Sequence, residues 1–307
     1  MYHRFDETKY PSTNINMQDF KKQMNIIKEK NYSFYNPKDF DLDFNKAKKN
    51  KKFLLTIDDA FTSFYKNAWP YLKQNKIPFI LFVSTEAVGR DGYMTWEQIR
   101  EVEKSPFGFI GNHSHSHEYL VKFSFQEFKK DIDLSSEILK KEIGYNPIFF
   151  SYPFGEYSLI QKRYIMKKFK YGFGQNSGVI DVNKDIFELP RFPINEKYGD
   201  LKRFKFLVDL LPLQYFKLIP EDKLIVKKNS NPPKMEIEFF KNQENIDNIN
   251  CYSNNGDDWS KTKTTKIDNT LRLNLNEKFN FRRGRVNCSL KDGDGWRWLG
   301  IQFTISN

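Results

Sequence analysis

The feature that most restricts how this chain can fold is a change of rhythm near residue 212. Before that point, short apolar runs alternate with stretches of helical period. "KKFLLTIDDA" (51–60) predicts a strand ending in two acids, "FTSFYKNAWPYLKQNK" (61–76) a helix and "IPFILFVS" (77–84) a second strand. "TWEQIREVEKS" (95–105) predicts a helix, and "FGFIGNHSHSH" (107–117) a strand with its loop. "SFQEFKKDIDLSSEILKKEIG" (124–144) is a long amphipathic helix opened by a Ser124/Glu127 capping box. "NPIFFSYPFG" (146–155), "YGFGQNS" (171–177) and "FELPRFPI" (187–194) predict three more strands, with a helix over "LIQKRYIMKKFK" (159–170). Such alternation implies an α/β fold, a parallel sheet or a barrel. After "LLPLQYFKLIPED" (210–222) only short alternating strands remain: "LIVKKN", "KMEIEFFK", "NINCYSN", "TLRLNLN", "RVNCSL" and "WRWLGIQFTI". The turns "NNGDD" and "KDGDG" punctuate them, which predicts an all-β sandwich. The expected organisation is an α/β unit over residues 1–212 and a β-sandwich over 213–307.

A length of 307 residues suits this division, since domains run to roughly 150 residues each. With 39% hydrophobic and 17% aromatic residues the chain is globular, not disordered. The net charge of +11 could serve an anionic partner. The lysines are scattered, however, and no basic cluster carries arginine with stacking aromatics, so no nucleic-acid partner is expected. No apolar run approaches the ~20 residues of a transmembrane helix. Met1 is followed at once by charged residues, with no signal peptide. The expectation is export to the periplasm or cell surface with the signal segment absent from this chain, a cytoplasmic location staying open.

Chemistry in parallel α/β folds collects at the carboxyl ends of the strands. There the chain places Asp58 and Asp59, then Asn112 and His113 with the loop to His117, then Ser151 to Gly155, and then Arg191 with Pro193. "MYHRF" at the start looks like the stub of another strand, ending at His3. Three of only four histidines stand at alternate positions in one loop, His113, His115 and His117. Two histidines four apart plus a carboxylate form a common ligand set for a catalytic divalent metal, and a second carboxylate can act as base. Alone, "DD" is most often a turn or cap, and "HSHSH" could be an adventitious site; in this order, each at a strand end, they point to one centre.

"TIDDA", "GNHSHSH" and "FSYPFGEYS" resemble the first three motifs of the polysaccharide deacetylases, carbohydrate esterases of NodB-homology fold. The resemblance covers roughly residues 1–200 and implies a distorted (β/α) barrel. It implies Asp59, His113 and His117 as metal ligands and Asp58 as catalytic base. It places Pro153 and Phe154 at the acetyl pocket, with a backbone N–H near Phe154 on the oxyanion, and Tyr152 and Trp96 among the substrate-binding residues. The expected ion is one Zn²⁺, with Co²⁺, Ni²⁺ or Fe²⁺ as alternatives; His115 is the variable position between the ligands. Two departures stand out. The family's motif arginine is Ser151 here, and Arg191 is the candidate replacement. No histidine follows His117, so the family's late acid histidine is missing. Circularly permuted poly-N-acetylglucosamine deacetylases are similar in carrying this histidine first, in a "YH" context, which makes His3 the candidate general acid.

In the second unit Trp296 and Trp298 share one strand face and could be a glycan platform or an interface, with Trp259 in another loop. Arg282, Arg283 and Arg285 in "FRRGRVN" could meet an anionic glycan or simply be solvated. Cys251 and Cys288 could pair across the sandwich or stay reduced. The expected function is a metal-dependent hydrolase that deacetylates an N-acetylated polysaccharide. The alternatives are an O-acetyl esterase on the same fold and a non-catalytic glycan-binding protein derived from it. The particular polymer and the oligomeric state are open.

Overall fold

The computed structural model describes residues 1–40, 51–226, 230–256, 258–275 and 277–306. Five short strands, Thr56–Asp58, Phe79–Val83, Gly108–Asn112, Phe149–Ser151 and Tyr171–Phe173, lie side by side in chain order, all parallel. Single bridges extend the sheet at both margins: Tyr2 pairs with Ile57 and Leu189 with Phe173, each in parallel. The sheet curls until these margins meet, where the Ile194 N–H donates to the Met1 carbonyl at 3.0 Å. This is the α/β barrel that the alternation predicts, incomplete and distorted.

The expected strand over 187–194 provides only the Leu189 bridge. Pro190 and Pro193 have no N–H to give, so a continuous ladder cannot form. The helix expected over 61–76 begins as a π turn, Phe64–Ala68, and becomes α-helical only at Trp69–Gln74. The helix expected over 159–170 ends at Ile165.

Strand alternation sorts the side chains into two layers. Tyr2, Ile57, Phe79, Leu81, Val83 and Ile110 face outward and pack under the helix Met17–Glu29 and its neighbours. Ile80, Phe82, Phe149, Phe173 and Leu189 face the barrel interior. A Cβ on Gly111 would lie 2.4 Å from the Phe82 ring, so glycine at this inward position is what admits that ring. The same alternation sends Thr56, Asp58, His113 and Ser151 inward.

The C-terminal sheet has nine strands. Its long strand Trp259–Ile267 pairs with Asn250–Asn254 through its first half and with Thr270–Asn274 through its second. The sheet therefore folds over on itself into two layers around a core that includes Met235, Ile237, Leu271, Val286, Ile301 and Phe303. Trp259 opens that strand instead of sitting in a loop. The strand was hidden in the sequence because Thr262 is its sole buried side chain. Cys251 and Cys288 form a disulfide between directly opposed residues of neighbouring strands, within one layer and not across the sandwich. Residues 227–229 of the expected strand 224–229, Asp257 of the "NNGDD" turn and Asn276 lie outside the described residues.

Trp298 and Trp296 both pack their rings against Phe206, at 6.5 and 6.1 Å, on the helix Leu201–Asp209. Trp298 also donates its indole N–H to the Ser177 carbonyl. Both tryptophans thus join the two sheets' surroundings together. No helix among the described residues is long and apolar enough to cross a membrane.

Candidate active site

The inward-facing residues at the carboxyl ends of the barrel strands converge. Asp58 ends its strand fully buried, and Arg191 grips it with two hydrogen bonds, Nη1 to Oδ1 at 2.7 Å and Nη2 to Oδ2 at 2.9 Å. The same guanidinium donates to the Thr56 hydroxyl, the Gly174 carbonyl and the Ser151 hydroxyl, at 3.2, 2.8 and 2.8 Å. Ser151, at which the expected motif arginine is missing, thus touches Arg191, the candidate replacement. A planar fork that binds both carboxylate oxygens fixes the carboxylate's plane as well as its charge. Burial works to raise the Asp58 pKa, but Arg191, with help from His113 and His3, holds it below the ordinary value.

Asp59, His113 and His117 offer ligand atoms that all lie within 4.8 Å of one another. Asp59 Oδ1 is 3.2 Å from His117 Nε2 and 3.5 Å from His113 Nε2. Asp59 Oδ1 and His113 Nε2 are buried and have no hydrogen-bond partner. His113 donates its Nδ1–H to the Ser151 carbonyl at 2.7 Å, which leaves the lone pair on Nε2, facing the cluster. Burial pushes the His113 pKa down to about 4, so the imidazole is neutral at neutral pH and able to ligate. Burial also lowers His117, yet the adjacent Asp59 more than offsets it and the net shift is upward. These donors fit a divalent ion: one carboxylate, two imidazoles, of which His113 is already neutral, and two orphaned buried atoms pointing at one spot.

The loop that carries the histidines is built from side chain to backbone. Asn112 Oδ1 accepts from the Ser114 N–H, and Ser114 Oγ accepts from the His117 N–H. Asp131, on the helix Phe125–Ile143, accepts the N–H groups of both His115 and Ser116 at 2.8 and 3.0 Å. His115 turns away from the cluster and hydrogen bonds with the Thr85 hydroxyl. Of the ten non-glycine residues with positive φ among those described, five sit here: Asp59, Ala60, Ser114, His117 and Phe154. Each such conformation costs about 1–3 kcal/mol and persists only when its surroundings impose it, a concentration typical of functional sites.

His3 follows Tyr2, whose N–H donates to the Thr56 carbonyl and whose carbonyl accepts from Asp58 N–H, both at 2.9 Å. It is half-buried beside the two aspartates. Burial lowers its pKa, and the charges of Asp59 and Asp58 pull the other way. Phe154 has φ 58°, and its ring meets His117 edge-on at 4.8 Å. Tyr152 does not line the site: alternation along Phe149–Ser151 sends it outward, fully buried against Phe150 and Tyr157. Trp96 opens a helix and packs on the outer core, with no contact to the cluster. Tyr93 was not among the expected residues, yet burial and then the Asp59 charge raise its hydroxyl pKa, and its ring lies 4.9 Å from that of Phe61, tilted by 36°.

The C-terminal sheet also reaches this end of the barrel. Gln302 donates to the carbonyls of Phe154 and Gly155, at 3.0 and 3.2 Å. Arg282 lies over the rings of Tyr119 and Phe154 at 3.5 and 4.8 Å. The sequence showed no arginine cluster with stacking aromatics because these partners lie more than a hundred residues away.

Residues 45–173 match the sequence profile of the polysaccharide deacetylases. Poly-beta-1,6-N-acetyl-D-glucosamine N-deacetylase of Staphylococcus aureus is 25% identical over 198 residues, covering 59% of this chain and 68% of its own. The fold is shared with the Streptococcus pyogenes deacetylase PplD in complex with acetate, at TM-score 0.59 and 24% identity over 64% of this chain and 92% of that one. It is shared equally with IcaB from Ammonifex degensii, at TM-score 0.58 and 24% identity over 67% and 94%. By profile over residues 45–173 and by fold, this chain is similar to the polysaccharide deacetylases.

Proposed function

We propose that the chain is a metal-dependent deacetylase of an N-acetylated polysaccharide, with Asp59, His113 and His117 holding one divalent ion, Zn²⁺ in first place. The observation that carries this reading is the juxtaposition of two unpartnered buried ligand atoms with an arginine-clamped carboxylate. The ion would polarise the acetyl carbonyl and the attacking water. Asp58 receives the water's proton, and Arg191 keeps its carboxylate ionised and in plane. Pro153 and Phe154 border the acetyl group, and a backbone N–H near Phe154 donates to the developing oxyanion, a contribution of about 3 kcal/mol. His3 protonates the departing amine from the opposite side. The poly-N-acetylglucosamine deacetylase among the relatives supports an N-acetylglucosamine polymer as substrate class.

The division into units 1–212 and 213–307 is part of this proposal, with the second unit bracing the first through Gln302 and Trp298. That packing supports an interface role for Trp298 and Trp296 ahead of an open glycan platform. The disulfide supports residence in an oxidising compartment, outside the cytoplasm.

The test is acetate release from N-acetylglucosamine oligomers by wild type and Asp58→Asn, with metal content measured on both. Asn is nearly isosteric with Asp and cannot take the proton, so Asp58→Asn should keep its ion and lose turnover by about 10²–10⁴. Wild type that binds no divalent ion, or Asp58→Asn with normal turnover, would refute the reading.

A further inference from the structure

Arg282 precedes, and Arg283 opens, the strand Arg283–Asp292 of the C-terminal sheet. Their side chains leave it for the barrel. Both direct Nε at one oxygen, Glu156 Oε1, at 2.9 and 2.6 Å, and Glu156 is buried. Arg285 stands next in line, with its Nε 3.5 Å from Gln302 Oε1. One carboxylate oxygen thus takes two guanidiniums. A single arginine would neutralise Glu156; a second on the same oxygen adds like-charge repulsion that a further anion would relieve. Among the described residues both guanidiniums meet Glu156 through Nε, and their terminal nitrogens donate no hydrogen bond. Their side chains are 26% and 22% exposed, enough for a ligand to reach them.

The guanidiniums are also held in place. Arg282 lies over the Tyr119 ring and 4.8 Å from the centroid of Phe154, which packs against Tyr119 at 4.6 Å, and Arg283 lies 5.4 Å from the Phe154 ring centroid. Phe154 in turn touches His117, so the arginines stand one aromatic ring from the ligand cluster. A stacked, pre-oriented guanidinium pair matches the planar or tetrahedral oxygens of a carboxylate or phosphate. A purely neutral glycan gains nothing from it, and each deacetylation adds an ammonium that the arginines repel.

We propose that Arg282 and Arg283, with Tyr119 and Phe154, form an anion-recognising subsite at the mouth of the active site, so that the preferred glycan carries a carboxylate or phosphate next to the acetamide that is cleaved. This rests on the deacetylase reading above and adds the charge of the substrate to it.

The test compares kcat/KM for three oligomers of equal length: neutral N-acetylglucosamine, one with alternate lactyl-ether carboxylates, and one phosphorylated at O6. Wild type should favour one anionic oligomer over the neutral one by about tenfold or more, as one charge-assisted hydrogen bond supplies. Which one it favours identifies the anion. The preference should shrink toward unity between about 50 mM and about 500 mM salt, and equally in Arg282→Gln/Arg283→Gln. A ratio within about twofold of unity in wild type, or one that survives in the double variant, overturns the subsite. If the double variant fails to fold, the wild-type salt dependence decides, and a salt-independent ratio overturns it. If wild type releases acetate from none of the three, the deacetylase reading fails, and equilibrium binding of the same oligomers judges the subsite: tighter, salt-sensitive binding of an anionic oligomer upholds it and equal binding overturns it.

Discussion

The barrel end and the C-terminal sheet solve opposite problems with the same backbone. At the barrel end, inward positions that alternation would give to Val or Phe hold Asp58, His113, Ser151 and Arg191, and half the left-handed non-glycine residues of the described chain gather around them. The C-terminal sheet is regular: its strand Arg283–Asp292 alternates between half-buried and buried side chains over eight residues, and Gln302, Arg282 and Arg283 carry it to the candidate site. The contrast shows where the fold tolerates strain and unmet polar atoms, and where it supplies rigid support. Changes in the first region should abolish chemistry, and changes in the second should tune it.

The largest effect is expected from His117→Ala. It should lose the ion and turnover together while the circular dichroism of the fold persists, because the residue sits on a loop outside the hydrophobic cores. Retention of a full complement of metal would break the contrast at its centre.

Next comes Arg191→Ala. It strands the Asp58 carboxylate in the barrel interior, and removing one partner of a buried pair costs about 3–5 kcal/mol. Denaturant unfolding should show this loss, with Arg191→Lys recovering part of the stability and little of the activity, since ammonium cannot bind both oxygens. A stability change under ~1 kcal/mol would mean that water reaches Asp58.

His3→Ala should keep its metal and lower amide turnover by about 10²–10⁴. The loss should shrink on activated phenyl acetates, whose leaving groups need no proton. An equal loss on both substrates would remove the acid role.

Gln302→Leu should act more gently, costing about 1–3 kcal/mol of loop order as the Phe154 and Gly155 carbonyls lose their donor. Turnover should fall several-fold with metal content intact. Loss of metal here would show that the second sheet holds the ligands as well as the loop.

The smallest effect is in pH. The raised pKa of His117 in the metal-free site means that near pH 6 its imidazole carries a proton that the ion must displace. His113, at about 4, has none to lose. Calorimetry in buffers of different ionisation enthalpy should find close to one proton released at pH 6 and fewer at pH 8.

Asp58, Asp59, His113 and His117 were legible because each pair lies within five residues of text at the end of an apolar run. His3 and Arg191 were legible only as gaps filled, since one replaces a missing histidine and the other a missing arginine. Tyr152 was misplaced although the rule that corrects it was available: with Phe149 inward, Phe150 and Tyr152 must face out. Asp131 left a faint signal, an acid on the buried face of a helix beside Phe128, Ile132 and Ser135. Gln302 and Arg282 left none, because their partners lie far along the chain and only the curl of two sheets brings them together; Tyr93 left none either, since a single antiparallel bridge to Phe61 is what brings it beside Asp59. The strand Trp259–Ile267 was invisible for a different reason: without an apolar face it has no period to read.

The meeting of Arg191 with Ser151 has a consequence for how such proteins diverge. The guanidinium that steadies Asp58 occupies a volume that two separate stretches of chain can fill, one from the strand end at 151 and one from the segment after Leu189. Ancestry could therefore move the charge from one stretch to the other through an intermediate carrying both or neither. Ser151→Arg paired with Arg191→Ser would re-enact that migration in a single molecule.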